Sequence, residues 1–301
     1  MIKRYIKKIA IALSTMLCLS TPITAFAARG GEYPSGEILS FGVDLTDAQE
    51  AQLRKYFEAP DSVEATYVDN EVAIKQLGLD PNDFSNFTGG WYSSAYVKLV
   101  SKENGVNVKS NNLTLVTDDM LANALITSGI LNAEVIASAP FAVTGESALA
   151  GILAGAEKIM GGELKTENKQ AAAEEIEVSL DLADEVGQTE ATAMINEIKT
   201  AVIKEKPDNE DQIAKVVSEV TEKYGVEISE NMKARVVTLM SDINDLDIDY
   251  SQVKDTLNKA ADKFKEDMSA LGKYLEDTGF FEKLWNWIKD FVSSIFGQGE
   301  N

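Results

Sequence analysis

The chain has 301 residues, of which 45% are hydrophobic and 26% charged, and it contains one cysteine and no histidine. Without histidine, the Ser-His-Asp and Cys-His arrangements of nucleophilic catalysis are excluded, and so is the usual structural zinc site. A formal net charge of −21 disfavours nucleic acid as a partner, because such binding depends on clustered lysine and arginine. The sequence therefore predicts no metal, no cofactor and no catalytic residue that can be named.

The first 27 residues have the pattern of a secretory signal peptide. Four basic residues lie among the first eight, an apolar stretch follows, and Ala25-Phe26-Ala27 provides a small-residue cleavage pattern. The uncharged stretch 9–28 is just about long enough for an uncleaved anchor, but its serine, threonine and proline residues favour cleavage. Cleavage removes Cys18 and leaves 24 of the 28 basic residues against 49 acids, a net charge of −25. We therefore expect a secreted or extracytoplasmic protein.

Residues 28–162 predict an α/β sandwich domain with a mixed sheet. An apolar run at residues 38–43 indicates a strand, and Thr46 with Gln49 forms a capping-box pattern that starts a helix through about Phe57. Residues 63–68 indicate a second strand. Two further β-rich runs, 96–100 and 106–116, flank Glu103-Asn104-Gly105, and this pattern predicts a hairpin.

The same alternation continues to the end of this part. Thr117 is the expected N-cap of a helix over residues 118–128, which Gly129 ends. An apolar β-rich run at 133–143 precedes Thr144-Gly145 and a helix over about 146–160. Strands that alternate with helices, together with one hairpin, indicate an α+β (or α/β) fold class.

Residues 163–276 predict an all-helical region. Apolar residues spaced by three and four positions place each set on one helix face, so these faces must pack together. The five predicted stripes are Ala173/Ile176/Leu180/Ala183, Ala191/Ile195/Ile198/Val202, Ile213/Val216/Val217/Val220/Tyr224, Met232/Val236/Leu239/Met240/Ile243, and Val253/Leu257/Ala260/Phe264/Met268/Leu271/Leu275.

Several motifs resemble the YpuA-like family, which comprises exported proteins of Gram-positive bacteria classed as a domain of unknown function. The likeness is carried by Phe41-Gly42-Val43-Asp44-Leu45-Thr46, by residues 116–129 and by residues 139–149, and the helices to about Asp249 also look similar. The resemblance implies an extracytoplasmic location. It implies no activity and no catalytic residue.

The turn Thr144-Gly145-Glu146-Ser147 is a candidate binding site, because backbone N–H groups at a helix start can hold an anion. Glycine that permits a tight turn, with Thr144 or Gly145 starting the helix, explains the same residues structurally. Asp245, Asp247 and Asp249 alternate as calcium-loop ligands do, but the pattern lacks the required glycine and glutamate, so helix capping is preferred and no metal site is predicted.

An aromatic cluster, Trp91-Tyr92 with Tyr96, follows Gly89-Gly90. Packing in the core or in a loop explains these side chains. They also fit the cleft of an envelope hydrolase, which would need two carboxyl groups at glycosidase separation beside them.

Residues 277–301 predict an amphipathic aromatic C-terminal helix. Its apolar face and flank carry the candidate contact residues Phe281, Leu284, Trp285, Trp287, Ile288, Phe291 and Phe296. Such a helix can dock on its own protein, lie in a membrane interface, or occupy the groove of an envelope protein. The segment 280–296 has two acids and two lysines, so it lacks the basic face that anionic lipid attracts.

These features favour a non-catalytic module that binds or scaffolds in the cell envelope, attached peripherally through its C-terminal helix. The alternative is a carboxylate-dependent hydrolase that acts on cell-wall glycan.

Overall fold

The computed structural model describes residues 34–79, 81–82, 89–100 and 104–260. The predicted signal peptide and the predicted amphipathic tail lie outside the described residues. The described chain folds as a mixed five-stranded sheet with helices on both faces, followed by helices alone. The predicted α+β class is therefore confirmed.

The sheet-forming part alternates strands and helices. Its elements are β1 Gly36–Gly42, α1 Asp47–Tyr56, β2 Ala65–Val68, α2 Asn70–Leu77, β3 Ser94–Leu99, β4 Val106–Leu113, α3 Asp118–Ser128, β5 Ala133–Val143 and α4 Ala148–Met160. The remaining elements are α5 Thr166–Val186, α6 Gln188–Glu205, α7 Glu210–Tyr224, α8 Glu230–Asp245 and α9 at residues 250–260.

The strand order is β2-β1-β3-β5-β4, and β3 runs antiparallel to both of its neighbours. Since β1 is parallel to β2, and β4 is parallel to β5, these four strands share one direction. Their carboxyl ends therefore meet at one edge of the sheet, which we call the carboxyl edge. The N-terminus of β3 lies at this same edge.

The predicted hairpin between the third and fourth strands is wrong, because β5 lies between β3 and β4. The side-chain Oδ1 of Asn132, just before β5, accepts from the backbone N–H groups of Asn104 and Gly105 at 3.1 Å each. The Asn-Gly pair is thereby bound to the start of β5. The more apolar β5 takes an inner position, while the polar β4 becomes an edge strand.

Alternating strand residues divide the core into two layers. Leu39, Phe41 and Tyr96 face the layer that α1 covers with Leu53 and Phe57. The opposite face packs against α3 and α4, and the shared cluster includes residues such as Ile38, Val97, Val135, Leu121 and Leu153.

Helices α1, α2, α3 and α4 all begin at the carboxyl edge, because each follows a strand that ends there. The predicted cap residues Thr46 and Thr117 are confirmed: each accepts a backbone N–H from its first helical turn. Asp69 caps α2, a helix that the sequence analysis missed. The start of α4 was predicted too early, since it begins after Ser147 rather than at Thr144 or Gly145.

Helix α5 joins the helical layer to the sheet-forming part. Its Ala172 and Ile176 belong to the core beneath α3 and α4, whereas its Val178 and Leu182 belong to the core formed with α6, α7 and α8. Of the predicted stripes, those on α6 and α8 are buried throughout. On α5, Ile176 of the predicted stripe is buried and the other members pack against the core partly buried, while the same helix also buries the polar residues Glu175 and Ser179.

Buried ion pairs hold these layers together. Lys199 on α6 contacts Glu175 on α5 at 2.7 Å, and Lys169 on α5 contacts Glu157 on α4 at 2.9 Å. Burial lowers the pKa of the Lys199 ammonium, although Glu175 acts in the opposite direction. Among the described residues, no helix has the length and apolar character needed to cross a bilayer.

Candidate functional site

A groove of about 460 Å³ opens at the carboxyl edge and continues along α5. We call it the Trp91 groove. Its apolar lining consists of Leu77, Leu79, Trp91, Leu149, Ala173 and Ile176, and its polar lining includes Thr144, Glu146, Ser147 and Glu177. The structure thus brings together two candidates that are far apart in sequence, the Trp91 aromatic cluster and the 144–147 turn.

Trp91 is held rigidly in the wall of the groove. Its backbone N–H donates to Asp44 Oδ2 at 2.7 Å, and its indole Nε1 donates to Asn70 Oδ1 at 2.6 Å. A Cβ on Gly42 would lie 1.9 Å from the Trp91 carbonyl oxygen, so glycine at the end of β1 permits this close approach. The ring is therefore positioned by residues at the ends of β1 and β2.

The 144–147 turn connects the end of β5 to the start of α4, and it is hydrogen-bonded to the segment between β4 and α3. The Thr144 carbonyl oxygen accepts from the N–H groups of Leu115 and Val116, and the Thr144 hydroxyl donates to Glu146 Oε2 at 3.0 Å. Gly145 has φ +102°, a backbone conformation that favours glycine. Ser147 precedes α4 without a capping hydrogen bond from its side chain. Binding of an anion at this turn stays a prediction.

A second groove of about 580 Å³ extends the first one toward α8. We call it the acidic extension. The two grooves share Leu77, Leu79, Ala173 and Glu177, so they form a continuous surface. The charged residues that line the acidic extension are Glu167, Glu174, Glu177, Arg235, Asp242 and Asp245.

The carboxylates of the acidic extension influence one another. Desolvation raises the pKa of the Glu174 carboxyl, and the carboxylates of Asp242 and Glu177 raise it further, against the opposing effect of Arg235. Desolvation also raises the pKa of Asp242, with Asp245 acting in the same direction. The pKa values of Glu174 and Asp242 rise mainly because both groups are partly desolvated, and neighbouring carboxylates add to the effect.

The aromatic cluster predicted from sequence is divided by the sheet. Tyr96 lies in the core on the α1 face, where its hydroxyl donates to Glu37 Oε2 at 2.5 Å. Burial, followed by the contact with Glu37, raises the pKa of this phenol. Tyr92 instead packs against Phe141 with ring centroids 4.9 Å apart. Only Trp91 of the three lines the groove.

The aspartates near the end of α8 serve local structure. Asp249 Oδ1 accepts from the backbone N–H of Ser251 at 2.8 Å and from its hydroxyl at 2.7 Å, which lowers the pKa of Asp249. Within the described ranges, no group of three or more Asp, Glu, Cys or His side chains is arranged to hold a metal ion.

Sequence reasoning missed three groups at this site. Asp44 and Asn70, which position Trp91, follow the ends of β1 and β2, and polar residues directly after parallel strands are a usable signal. Glu177 belongs to a helix of the second half and carries no such signal. The candidate contact residues of the tail, Phe281–Phe296, lie outside the described part of the chain.

The fold and the groove define a class of protein: an α+β module with a mixed sheet, four of whose five strands share one direction, a groove at the carboxyl edge, and a helical layer that follows the sheet. The chain belongs to the family described as "Protein of unknown function (DUF1002)", whose model matches residues 41–260.

The chain is similar to the uncharacterized protein YpuA of Bacillus subtilis (strain 168). The two are 31% identical over 289 residues, which cover 94% of this chain and 98% of that protein. No solved structure matches the chain significantly. The resemblance to the YpuA-like family is therefore confirmed.

Proposed function

We propose that the protein is an exported, non-catalytic module that binds a component of the cell envelope in the Trp91 groove. The observation that carries this proposal is the groove itself, which joins an immobilised tryptophan, a polar turn and an apolar wall at one edge of the sheet. Ligand sites typically combine an apolar lining with a few fixed polar groups in this way.

The position of the groove supports a binding role. In open sheets with parallel strands, ligands bind outside the carboxyl ends of the strands, where connections leave toward opposite faces. Here β1 leads into α1 on one face, and β5 leads into α4 on the other. Trp91, just before β3, lies at the edge between these two connections.

Export and attachment are the second part of the proposal. The residues before position 28 have the order of a signal peptide, and the predicted tail helix places aromatic and aliphatic residues on one side. In this proposal the tail, including Trp285 and Phe291, attaches the module peripherally to a membrane surface or an envelope protein.

Filling the groove tests the binding role. Ala173 is half-buried and lines both grooves, so Ala173→Trp introduces bulk without removing a hydrogen bond. We expect purified residues 28–301 to cosediment with isolated cell envelopes and Ala173→Trp to lose at least about tenfold in affinity, since a filled pocket removes the ligand contacts. Asp184→Trp, an exposed position on the same helix outside both grooves, is the matched control. Equal binding by all three proteins would reject the groove as the binding site.

A carboxylate-dependent hydrolase of cell-wall glycan is the second candidate. The groove holds two acids beside an aromatic side chain, because Glu146 and Glu177 line it together with Trp91, and this function further requires their carboxyl groups to lie at glycosidase separation. Purified protein would then release soluble sugar from isolated walls, and Glu146→Gln or Glu177→Gln would abolish the release. A wild-type protein that binds walls and releases no sugar would exclude this candidate.

A further inference from the structure

We infer that the ligand of the Trp91 groove and its acidic extension is a basic peptide segment that also carries apolar side chains. This inference rests on the proposed binding function and specifies the partner. It is supported by three features of the described surface: the charge of the acidic extension, the apolar side chains beside it, and the length of the combined groove.

The charge of the acidic extension favours a cationic partner. Five of its lining residues are acidic, and the one basic residue, Arg235, is already paired with Asp181. Lys75 on α2 and Lys169 on α5 are paired with Glu163 and Glu157. Lysine or arginine side chains of a partner would neutralise the groove carboxylates, whereas an anion would be repelled.

The raised pKa values of Glu174 and Asp242 agree with this geometry. Desolvation, followed by the neighbouring carboxylates, raises both pKa values, and Arg235 opposes the shift at Glu174 without cancelling it. A bound cation would relieve this repulsion. Binding is therefore expected to lower the pKa values of these carboxyl groups, so that any proton they hold is released to solvent.

Apolar groups at the same edge make a second, independent contribution. Leu77, Leu79 and Ala173 are half-buried and lie where the two grooves meet. Val43, which lines a further pocket together with Trp91, is 45% exposed just after β1. Exposed apolar side chains grouped at one place mark an interaction surface rather than a solvated one.

The shape of the surface favours a chain over a compact small molecule. The Trp91 groove and the acidic extension are continuous, and together they run from the carboxyl edge along α5 to α8. The lining changes along this path from an aromatic and aliphatic wall to carboxylates. A peptide that alternates apolar and basic side chains can satisfy both parts, since each side chain is placed separately along an extended backbone.

Calorimetric titration with synthetic peptides tests the inference. The probes are a short peptide of alternating lysine and leucine and one of the same length with alternating glutamate and leucine. We expect the full-length mature protein to bind the basic peptide, to bind the acidic peptide at least about tenfold more weakly, and to lose affinity for the basic peptide as salt is added, because exposed charge pairs are screened.

Variants identify the groove as the binding site. Glu174→Gln with Asp242→Asn removes two groove carboxylates, and we expect affinity for the basic peptide to fall about fivefold or more, since each exposed ion pair contributes modestly. Asp184→Asn with Glu222→Gln removes the same charges from exposed positions outside both grooves and is the matched control. Equal losses in the two double variants would overturn the inference, because they would indicate attraction by overall charge alone.

The outcome also separates this inference from the proposed function. Envelope binding that Ala173→Trp abolishes, but that the basic peptide does not displace, would keep the groove as a binding site and overturn the peptide as its ligand. Loss of the groove effect on envelope binding would overturn the proposed function itself. Displacement of bound envelope material by the basic peptide and not by the acidic peptide supports both.

Discussion

Lys199 Nζ lies 2.7 Å from Glu175 Oε1, and both side chains are almost completely removed from solvent. The ammonium also donates to the carbonyl oxygen of Asn123 at 2.9 Å and to the hydroxyl of Thr127 at 3.1 Å. The Thr127 hydroxyl donates in turn to the other Glu175 oxygen. Helices α3, α5 and α6 are therefore joined by one network whose charged groups have their hydrogen bonds satisfied.

Removing only the cation should destabilise the protein strongly. We expect Lys199→Met to lower the free energy of unfolding by about 3–5 kcal/mol, because the Glu175 carboxylate would remain buried without a counter-charge. Urea denaturation measures this change. The double variant Lys199→Met with Glu175→Leu should recover most of the loss, and a double variant as unstable as the single one would contradict the role of the isolated charge.

The backbone of Trp91 and Tyr92 leaves no space for a side chain at Gly42. A Cβ at this position meets the Trp91 carbonyl oxygen and the Tyr92 backbone, so Gly42→Ala should cost about 2–3 kcal/mol through overpacking. Gly129→Ala is the contrasting variant: its added Cβ has nothing within 4 Å, and its φ of +96° alone should cost about 1–2 kcal/mol. Thermal unfolding compares the two, and only Gly42→Ala should also change the environment of Trp91.

Ser147 and Thr117 lie at corresponding positions before helices but differ in their contacts. The Thr117 hydroxyl accepts from the Met120 N–H, so Thr117→Ala should cost about 1 kcal/mol in the free energy of unfolding. The Ser147 side chain makes no capping hydrogen bond, and Ser147→Ala should change stability by less than about 0.5 kcal/mol. A weakened envelope interaction in Ser147→Ala would then report a lost ligand contact rather than a damaged fold.

The groove carboxylates should make stability depend on pH. Folding raises the pKa of Glu174, so the ionised side chain opposes folding at neutral pH, and the penalty disappears below the unfolded pKa of about 4.3. Glu174→Gln should therefore stabilise the protein at pH 7 by about 0.5 kcal/mol, a value discounted for exposure to solvent. At pH 3.5 the gain should be much smaller. Chemical denaturation at the two pH values tests this, and an equal gain at both would contradict the ionic origin.

The predicted tail should control whether the protein is found with membranes or in the medium. Deleting residues 279–301 removes the apolar face that contains Trp285, Ile288 and Phe291. If that face attaches the protein peripherally, the deletion should move it from the membrane fraction to the medium, because the buried apolar area is lost. A variant with Ile288→Asp and Phe291→Asp disrupts the same apolar face without changing the length of the chain, and it should have the same effect. An unchanged distribution of both variants would reject the attachment.

Local sequence signals predicted most of the helices and strands, whereas the pairing of elements that are distant in sequence could not be predicted from them. The boundaries of α3 and β5 follow from Thr117, Gly129 and a largely apolar, β-rich run, which act over a few residues. The hairpin prediction failed because Asn104-Gly105 binds Asn132, a partner that local turn patterns do not include.

The candidate site shows the same limit. Trp91 and the 144–147 turn were each apparent from local composition, but it is the antiparallel pairing of β3 with β5 that brings the start of β3 and the end of β5 to one edge. On α5 the hydrophobic pattern omitted the buried residue Glu175, because such a pattern assigns charged residues to the protein surface. Glu175 is buried on the packed face because Lys199, on the next helix, provides its counter-charge.

The indole N–H resonances of tryptophan measure the central claim most directly. The chain has three tryptophans, with Trp91 in the groove and Trp285 and Trp287 in the tail segment, so one nitrogen–proton correlation spectrum distinguishes the two regions. On titration of the isotope-labelled mature protein with soluble envelope fragments, we predict that the Trp91 resonance shifts in a saturable manner and that Ala173→Trp abolishes this shift. An unchanged Trp91 resonance, with saturable shifts confined to Trp285 and Trp287, would contradict a binding site at the carboxyl edge.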